Sequence, residues 1–310
     1  FHANAWAIPY VTTMIGAKLV LPGRHLDGES VQSLIENEKV TFTAAVPTIW
    51  LMLFEYLEQS GKKLESLKSC VVGGSACPRF MMEKFYEKYG VEVLHCWGMT
   101  ETSPIGTINR PLSKHAGQSF SERLDVAVKQ GRPVYGVEIK ITDESGITLP
   151  NNGKDFGNLW IRGPWICSGY LNIENSETHG EDDWFMTGDV ATIDEDGFMQ
   201  ITDRTKDVIK SGGEWISSIE IENFAVGHPS VLEAGVIGVF HPKWDERPLL
   251  IIVKNENAEV SKKEILEFLK DKIVSWWMPD DVVFVDSLPH TATGKIQKLA
   301  LREQFKDYKF

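Results

Sequence analysis

Between Gly28 and Glu101, apolar residues recur first at helical and then at strand spacing. Val31, Leu34 and Ile35 fall on one face of a helix predicted over Ser30–Glu38, and a strand follows at Thr41–Val46. Helix Thr48–Gln59, strand Lys68–Val72, helix Pro78–Tyr89 and strand Val91–His95 continue the alternation. Such a succession predicts βαβ units and a parallel sheet. From about Arg132 to Asp203 the pattern changes to short strands with turn punctuation. Val137–Thr142 runs into Asp143-Glu144-Ser145-Gly146, and Ala191–Ile193 is parted from Phe198–Thr202 by Asp194-Glu195-Asp196-Gly197. This is the pattern of antiparallel β-structure.

A third pattern follows the charged segment Asp203-Arg204-Thr205-Lys206-Asp207. It has a helix near Ser217–Ala225, strands Ala234–Phe240 and Leu249–Val253, and a helix Ser261–Trp276 opened by the capping box Ser261…Glu264. The apolar face of that helix is Ile265, Phe268, Leu269, Ile273 and Trp276, and a strand is expected at Asp281–Val285. The expected organisation is α/β. Residues 1–205 form part of a large domain (1–131 α/β, 132–205 mostly β), and residues 206–310 form a small α+β domain.

Composition narrows the function classes. The 310 residues carry 32 Lys+Arg against 44 Asp+Glu, a net charge of −12, which argues against a nucleic-acid-binding module. An apolar share of 42% is enough to fill two domain cores. The apolar stretch Ala44–Phe54 is broken by Pro47 and falls short of the ~20 residues a membrane helix needs, so a soluble protein is expected. Cys70, Cys77, Cys96 and Cys167 have no C-x-x-C spacing, which suggests free thiols in a reducing cytoplasm. The chain begins with Phe1 and is expected to start inside a longer protein.

Several short segments carry candidate chemistry, and each has a plain structural alternative. Gly73-Gly74-Ser75-Ala76 and Cys96-Trp97-Gly98-Met99-Thr100-Glu101 each follow a predicted strand, where parallel sheets bind ligands. The first reads equally as a β–α turn with Pro78 opening a helix. The second offers an aromatic plane, a glycine, a hydroxyl and a carboxylate, a set suited to a nucleotide with Mg²⁺, yet it also resembles a strand-ending turn with a helix cap. Thr187-Gly188-Asp189 is expected to present an exposed aspartate able to accept from a ribose diol, or to be a turn. Residues 203–207 read as a hinge or as a solvated loop. Ser211-Gly212-Gly213-Glu214-Trp215 holds too many glycines for the middle of an element and reads as a sharp turn or a channel wall.

Lys295, in Pro289-His290-Thr291-Ala292-Thr293-Gly294-Lys295, is either a surface lysine or a cation delivered to a phosphate or carboxylate. The segment is not a P-loop, because Pro289 stands where the first glycine belongs and Ile296 where Ser/Thr belongs. No zinc-ligand spacing and no G-x-S-x-G elbow stands out.

In their order, Phe1-His2-Ala3-Asn4-Ala5-Trp6, Gly73-Gly74-Ser75-Ala76, Trp97-Gly98-Met99-Thr100-Glu101, Thr187-Gly188-Asp189, residues 203–207 and Thr293-Gly294-Lys295 resemble the adenylate-forming superfamily of acyl-CoA synthetases, luciferases and adenylation domains. The opening string and the Gly73–Pro78 string look most like the branch of medium- and long-chain fatty-acid–CoA ligases and 3-methylmercaptopropionyl-CoA ligases. That family's Ser/Thr/Gly-rich phosphate loop, which precedes the FHANAW-like string, is absent from these residues.

The resemblance implies an enzyme that joins a carboxylic acid to ATP and then passes the acyl group from acyl-AMP to coenzyme A. It implies that Gly74, Ser75 and Ala76 line the adenine, that Trp97 stacks beside it and that Gly98 faces the substrate. It likewise implies that Thr100 reaches the α-phosphate, Glu101 holds Mg²⁺, and Asp189 with Arg204 holds the ribose. Lys295 would serve adenylation. Lys206 would be the hinge that brings Lys210 and Gly213 to the CoA arm, and His2 with Trp6 would cap the acyl pocket if their stretch is helical. Alternatives within this frame are an adenylation domain that loads a carrier protein and an inactive nucleotide-binding fragment. A homodimer is common among such enzymes.

Overall fold

The computed structural model describes residues 3–173, 178–256, 258–291 and 295–310. Three sheets succeed one another along the chain. The first contains β1 (Phe42–Ala45), β2 (Ser69–Val72), β3 (Glu92–Gly98), β4 (Ile105–Ile108) and β5 (Arg132–Pro133), in that spatial order. β1, β2 and β3 are parallel, as the alternating pattern requires, with Val72 beside both Ala45 and His95. β4 and β5 are antiparallel, so the sheet is mixed and not wholly parallel. The Met99–Pro104 connection is too short for a crossover helix, and β4 must turn straight back along β3.

The same pairing corrects the reading of Cys96-Trp97-Gly98 as a loop. Cys96 lies opposite Ile108 and Trp97 opposite Thr107, so the segment is strand. Only Thr100–Thr102 beyond it forms a short 3₁₀ turn.

Helices α1 (Gly28–Asn37) and α2 (Pro47–Ser60) cover this sheet. Asp27 caps α1 by accepting the Ser30 N–H at 2.9 Å. Val31 and Ile35 from α1, Trp50, Leu53, Phe54 and Leu57 from α2, and Cys70, Val72 and Phe85 form one core. Phe54 and Phe85 have ring centroids 4.6 Å apart. The predicted helix Pro78–Tyr89 is α-helical only over Arg79–Glu83 (α3) and widens to a π-helical turn at Lys84–Lys88. A further helix at Ile8–Met14 buries none of its residues, and the sequence pattern does not mark it.

The second sheet is the antiparallel set β6 (Glu138–Thr142), β7 (Gly157–Arg162), β8 (Phe185–Ile193) and β9 (Met199–Arg204). It joins the first through the Gly131–Met199 bridge and through Trp97, which packs against Ile141, Leu159 and Met199.

The third sheet holds β10 (Ile209–Ser211), β11 (Glu214–Ile216), β12 (Val231–His241), β13 (Asp245–Lys254) and β14 (Asp281–Val285). β13 is covered on both faces. Leu250 and Ile252 meet Ile221 of α4 (Ser218–Ala225) and Ile265 and Leu269 of α5 (Lys262–Lys270). On the other face, Leu249 and Ile251 meet Leu301 of α6 (Lys298–Gln304). The helix expected over Ser261–Trp276 thus stops at Lys270. The adjacent β-branched Ile273 and Val274 disfavour its continuation, and Ser275–Trp277 form a separate 3₁₀ turn.

Candidate active site

The end of β2 releases the chain into Gly73-Gly74-Ser75-Ala76. Gly74 has φ +81°, a conformation that disfavours any side chain, and a Cβ there would stand 3.1 Å from Val46 Cγ1 and 3.8 Å from Lys295 Cε. The far end of this loop is tied down by His95 of β3. The Cys77 N–H donates to His95 Nε2 at 3.2 Å, while Nδ1–H donates to the Val128 carbonyl at 2.9 Å. Burial lowers the His95 pKa to about 4, so the ring is neutral and Nε2 remains an acceptor. His95 was not among the residues expected in the site. It sits mid-strand, and nothing in its spacing distinguishes it from an ordinary core histidine.

Asp189 and Arg204 are direct cross-strand partners on β8 and β9, with Arg204 Nε 2.9 Å from Asp189 Oδ1. The indole N–H of Trp97 donates to Asp189 Oδ2 at 2.9 Å. The expected exposure of Asp189 and the alternative of a turn are both corrected: the residue is 3% exposed and lies within β8. Burial pushes its carboxyl up, opposed by Arg204, the Trp97 N–H and Lys295. A carboxylate has about four lone-pair sites, so these two bonds leave room for a hydroxyl donor from the cavity.

Lys295 is half-buried, and its ammonium is pulled down by burial and by Arg204 while Asp189 pulls it up. With Gly74, Ser75, Ala76 and Gly98 it faces a cavity of about 650 Å³. Trp97, Asp189, Arg204 and Lys206 line the same space. Five separate stretches of the chain therefore meet at one place. Gly98 is also required sterically, since a Cβ would fall 1.8 Å from the Pro104 carbonyl oxygen.

Other expected residues lie elsewhere. Thr100 and Glu101 are outside the cavity lining, and Tyr170 O–H donates to Glu101 Oε1 at 2.9 Å. That bond, with burial, pushes the Tyr170 pKa up to about 12. Lys210 pairs with Glu144 at 2.8 Å, and Gly213 sits in the open turn between β10 and β11. Trp6 packs its indole ring over Gly73 and Gly74. It has φ +53° between residues of like φ, so its own stretch is not a right-handed helix. His2, like Thr293 and Gly294, lies outside the described residues.

The profile of the AMP-binding enzyme family matches residues 1–171, and that of the AMP-binding enzyme C-terminal domain matches residues 220–295. The chain belongs to the AMP-binding enzyme family. Among curated relatives, this AMP-binding chain is 53% identical to a 3-methylmercaptopropionyl-CoA ligase of Ruegeria lacuscaerulensis, over 99% of this chain and 57% of the relative. It is 51% identical to a medium-chain-fatty-acid–CoA ligase of Ectopseudomonas oleovorans, over 99% of this chain and 56% of that protein. A crystal structure of an anthranilate CoA ligase in complex with anthranoyl-AMP superposes with a TM-score of 0.81 at 30% identity, over 94% of this chain and 55% of that one. The AMP-binding chain thus spans a little over half the length of these relatives.

Proposed function

We propose that this chain carries the adenylate-binding part of an acid–CoA ligase, which activates a medium- or long-chain fatty acid, or a methylthio-propionate-like acid, through acyl-AMP. The observation that carries the reading is the convergence of Gly74, Asp189, Arg204 and Lys295 on one cavity large enough for a nucleotide. Gly74, Ser75 and Ala76 line this cavity and would border the adenine. Asp189, held by Arg204 and Trp97, accepts from the ribose diol.

Carboxylate and triphosphate are both anions, and the Lys295 cation lowers the cost of bringing them together. Thr100, two residues beyond the lining residue Gly98, would have to approach the α-phosphate from outside that lining. Glu101 accepts from Tyr170 through Oε1, and among the described residues no hydrogen bond is made to its other oxygen, which suits Mg²⁺, a cation that takes one or two carboxylates and otherwise phosphate and water oxygens. When bound, Mg²⁺ offsets phosphate charge. Among the described residues no cluster of three or more acidic, His or Cys side chains forms a cage of its own.

Residues 206–310 turn about Lys206 after adenylation, withdrawing Lys295 and bringing Lys210 and Gly213 toward the CoA thiol. Trp6, with His2, borders the acyl group. Four free cysteines fit a reducing cytoplasmic setting. Among the described residues no helix is long and apolar enough to cross a membrane.

The test is thermal stabilisation by non-hydrolysable acyl-AMP mimics of increasing acyl length. A ligand at a hundredfold excess over Kd adds about 2.7 kcal/mol to stability. A shift that peaks at one length and is lost in Asp189→Ala is expected. No shift from a folded chain at any length would overturn the reading.

A further inference from the structure

Asp203 and Arg204 are neighbours on β9 whose side chains go to opposite sides of the strand. Arg204 meets Asp189, whereas Asp203, 1% exposed, turns toward the start of α4. Its Oδ2 accepts the Ser218 backbone N–H at 2.8 Å and the Ser218 hydroxyl at 2.5 Å. Just before it, the Thr202 carbonyl accepts the Ser217 hydroxyl. The Ser218 hydroxyl oxygen also accepts from Lys298 Nζ, which pairs with Glu222 Oε1 at 2.9 Å. Glu222 in turn accepts the Val236 N–H at 2.8 Å, which anchors the cluster to β12.

Two carboxylates and one ammonium are thus gathered where the Lys298 and Glu222 side chains are only 11% and 15% exposed. Burial pulls the Lys298 ammonium down, but Glu222 and Asp203 outweigh it and the net shift is upward, so the lysine stays charged. Removing one member of such a group leaves the others buried and unpaired. Lys298 opens α6, three residues after Lys295. The cluster therefore fastens the root of the Lys295 loop to the strand that carries Arg204. Thr202 and Asp203 precede the Lys206 turn, whereas Ser217, Ser218 and Lys298 follow it. Rotation at Lys206 has to break the Asp203–Ser218 bonds.

We propose that Asp203 and Lys298 are positioning residues that clip Lys295 to the Asp189–Arg204 end of the cavity and set how readily it withdraws. The inference rests on the proposed adenylation role of Lys295. Its test uses no ligand, so the two can fail separately.

The native cysteines report the outcome. Cys96 lines the same cavity as Lys295. Cys70 and Cys77 are buried in the core, and Cys167 is half-buried outside the cavity. Iodoacetamide labelling of the 310-residue chain, followed peptide by peptide by mass spectrometry, compares the parent with Asp203→Asn and Lys298→Met. Cys96 labelling is expected to rise about fivefold or more in both variants. Cys70 and Cys77 should stay unlabelled, Cys167 should be unchanged, and Lys298→Arg should restore protection of Cys96. Unchanged Cys96 labelling in a folded variant overturns the proposal. So does labelling of Cys70 and Cys77 in both variants, since the cluster then holds the fold and not the lysine.

Discussion

At the scale of single residues, the site depends on groups that look ordinary in one dimension. Trp97 combines two roles: its ring packs between two sheets, and its N–H fixes the Asp189 carboxylate. Trp97→Phe keeps the ring and removes the donor. Hydrogen bonds to charged groups contribute about 1.5–3 kcal/mol, so calorimetry should show acyl-AMP mimics binding at least about tenfold more weakly.

His95 makes a pH prediction. Its folded pKa of about 4 lies below the usual 6.5, so the unfolded chain binds the extra proton between those values. Its contribution is fully present above pH 6.5 and is lost as pH falls toward 4, on the order of 3 kcal/mol in all. Denaturant titrations should show His95→Gln with a flatter stability slope across that window. The Gly74–Ala76 segment, Trp97, Gly98, Asp189 and Lys295, which line the cavity, are legible from residue types in order. His95 and Asp203 are not, because only folding supplies the loop amide and the helix end that they bind.

At the scale of elements, periodicity locates β1–β3, β6, β9, β12–β14 and the helices α1, α2, α4 and α5, and local chemistry decides where they end, whereas β4, β5, β7, β10, β11 and α6 are not marked by it. The Ser261–Glu264 capping box forms as its spacing predicts, with Ser261 N–H 2.8 Å from Glu264 Oε2 and the Ser261 hydroxyl accepting the Glu264 N–H at 3.3 Å. Ser261→Ala should cost about 1 kcal/mol and lower the melting temperature by a few degrees. One element departs from what its local composition suggests. Cys96-Trp97-Gly98 has turn-like composition but becomes strand because β4 returns along it. Gly98→Ala should therefore destabilise far more than a typical glycine replacement in a loop, as the added methyl meets the Pro104 carbonyl. Overpacking of this kind costs about 1–3 kcal/mol, readable as a drop in the denaturation midpoint.

At the scale of the whole molecule, the prediction concerns the two half-reactions. It is tested in an enzyme of the relatives' full length. In that enzyme, Lys295→Ala should abolish acid-dependent pyrophosphate exchange. Lys206→Pro should leave exchange intact while thioester formation fails, because proline stiffens the turn about which residues 206–310 are proposed to rotate. Equal loss of both half-reactions in Lys206→Pro would refute the hinge.

The succession of hydrophobic periods was sufficient by itself to determine three kinds of structure in a row, because 3.6-residue and 2-residue spacing are properties of the chain alone. The ordered short motifs were likewise sufficient to show the family, since their residue types and spacing survive without coordinates. Only the tertiary structure decided that Asp189 is buried between Arg204 and Trp97, that Lys295 reaches Gly74, and that Asp203 meets Ser218 and, through it, Lys298. Those contacts join residues far apart in the chain. Burial, pairing and charge state at such sites depend on which surfaces fold against each other, and no local pattern encodes that.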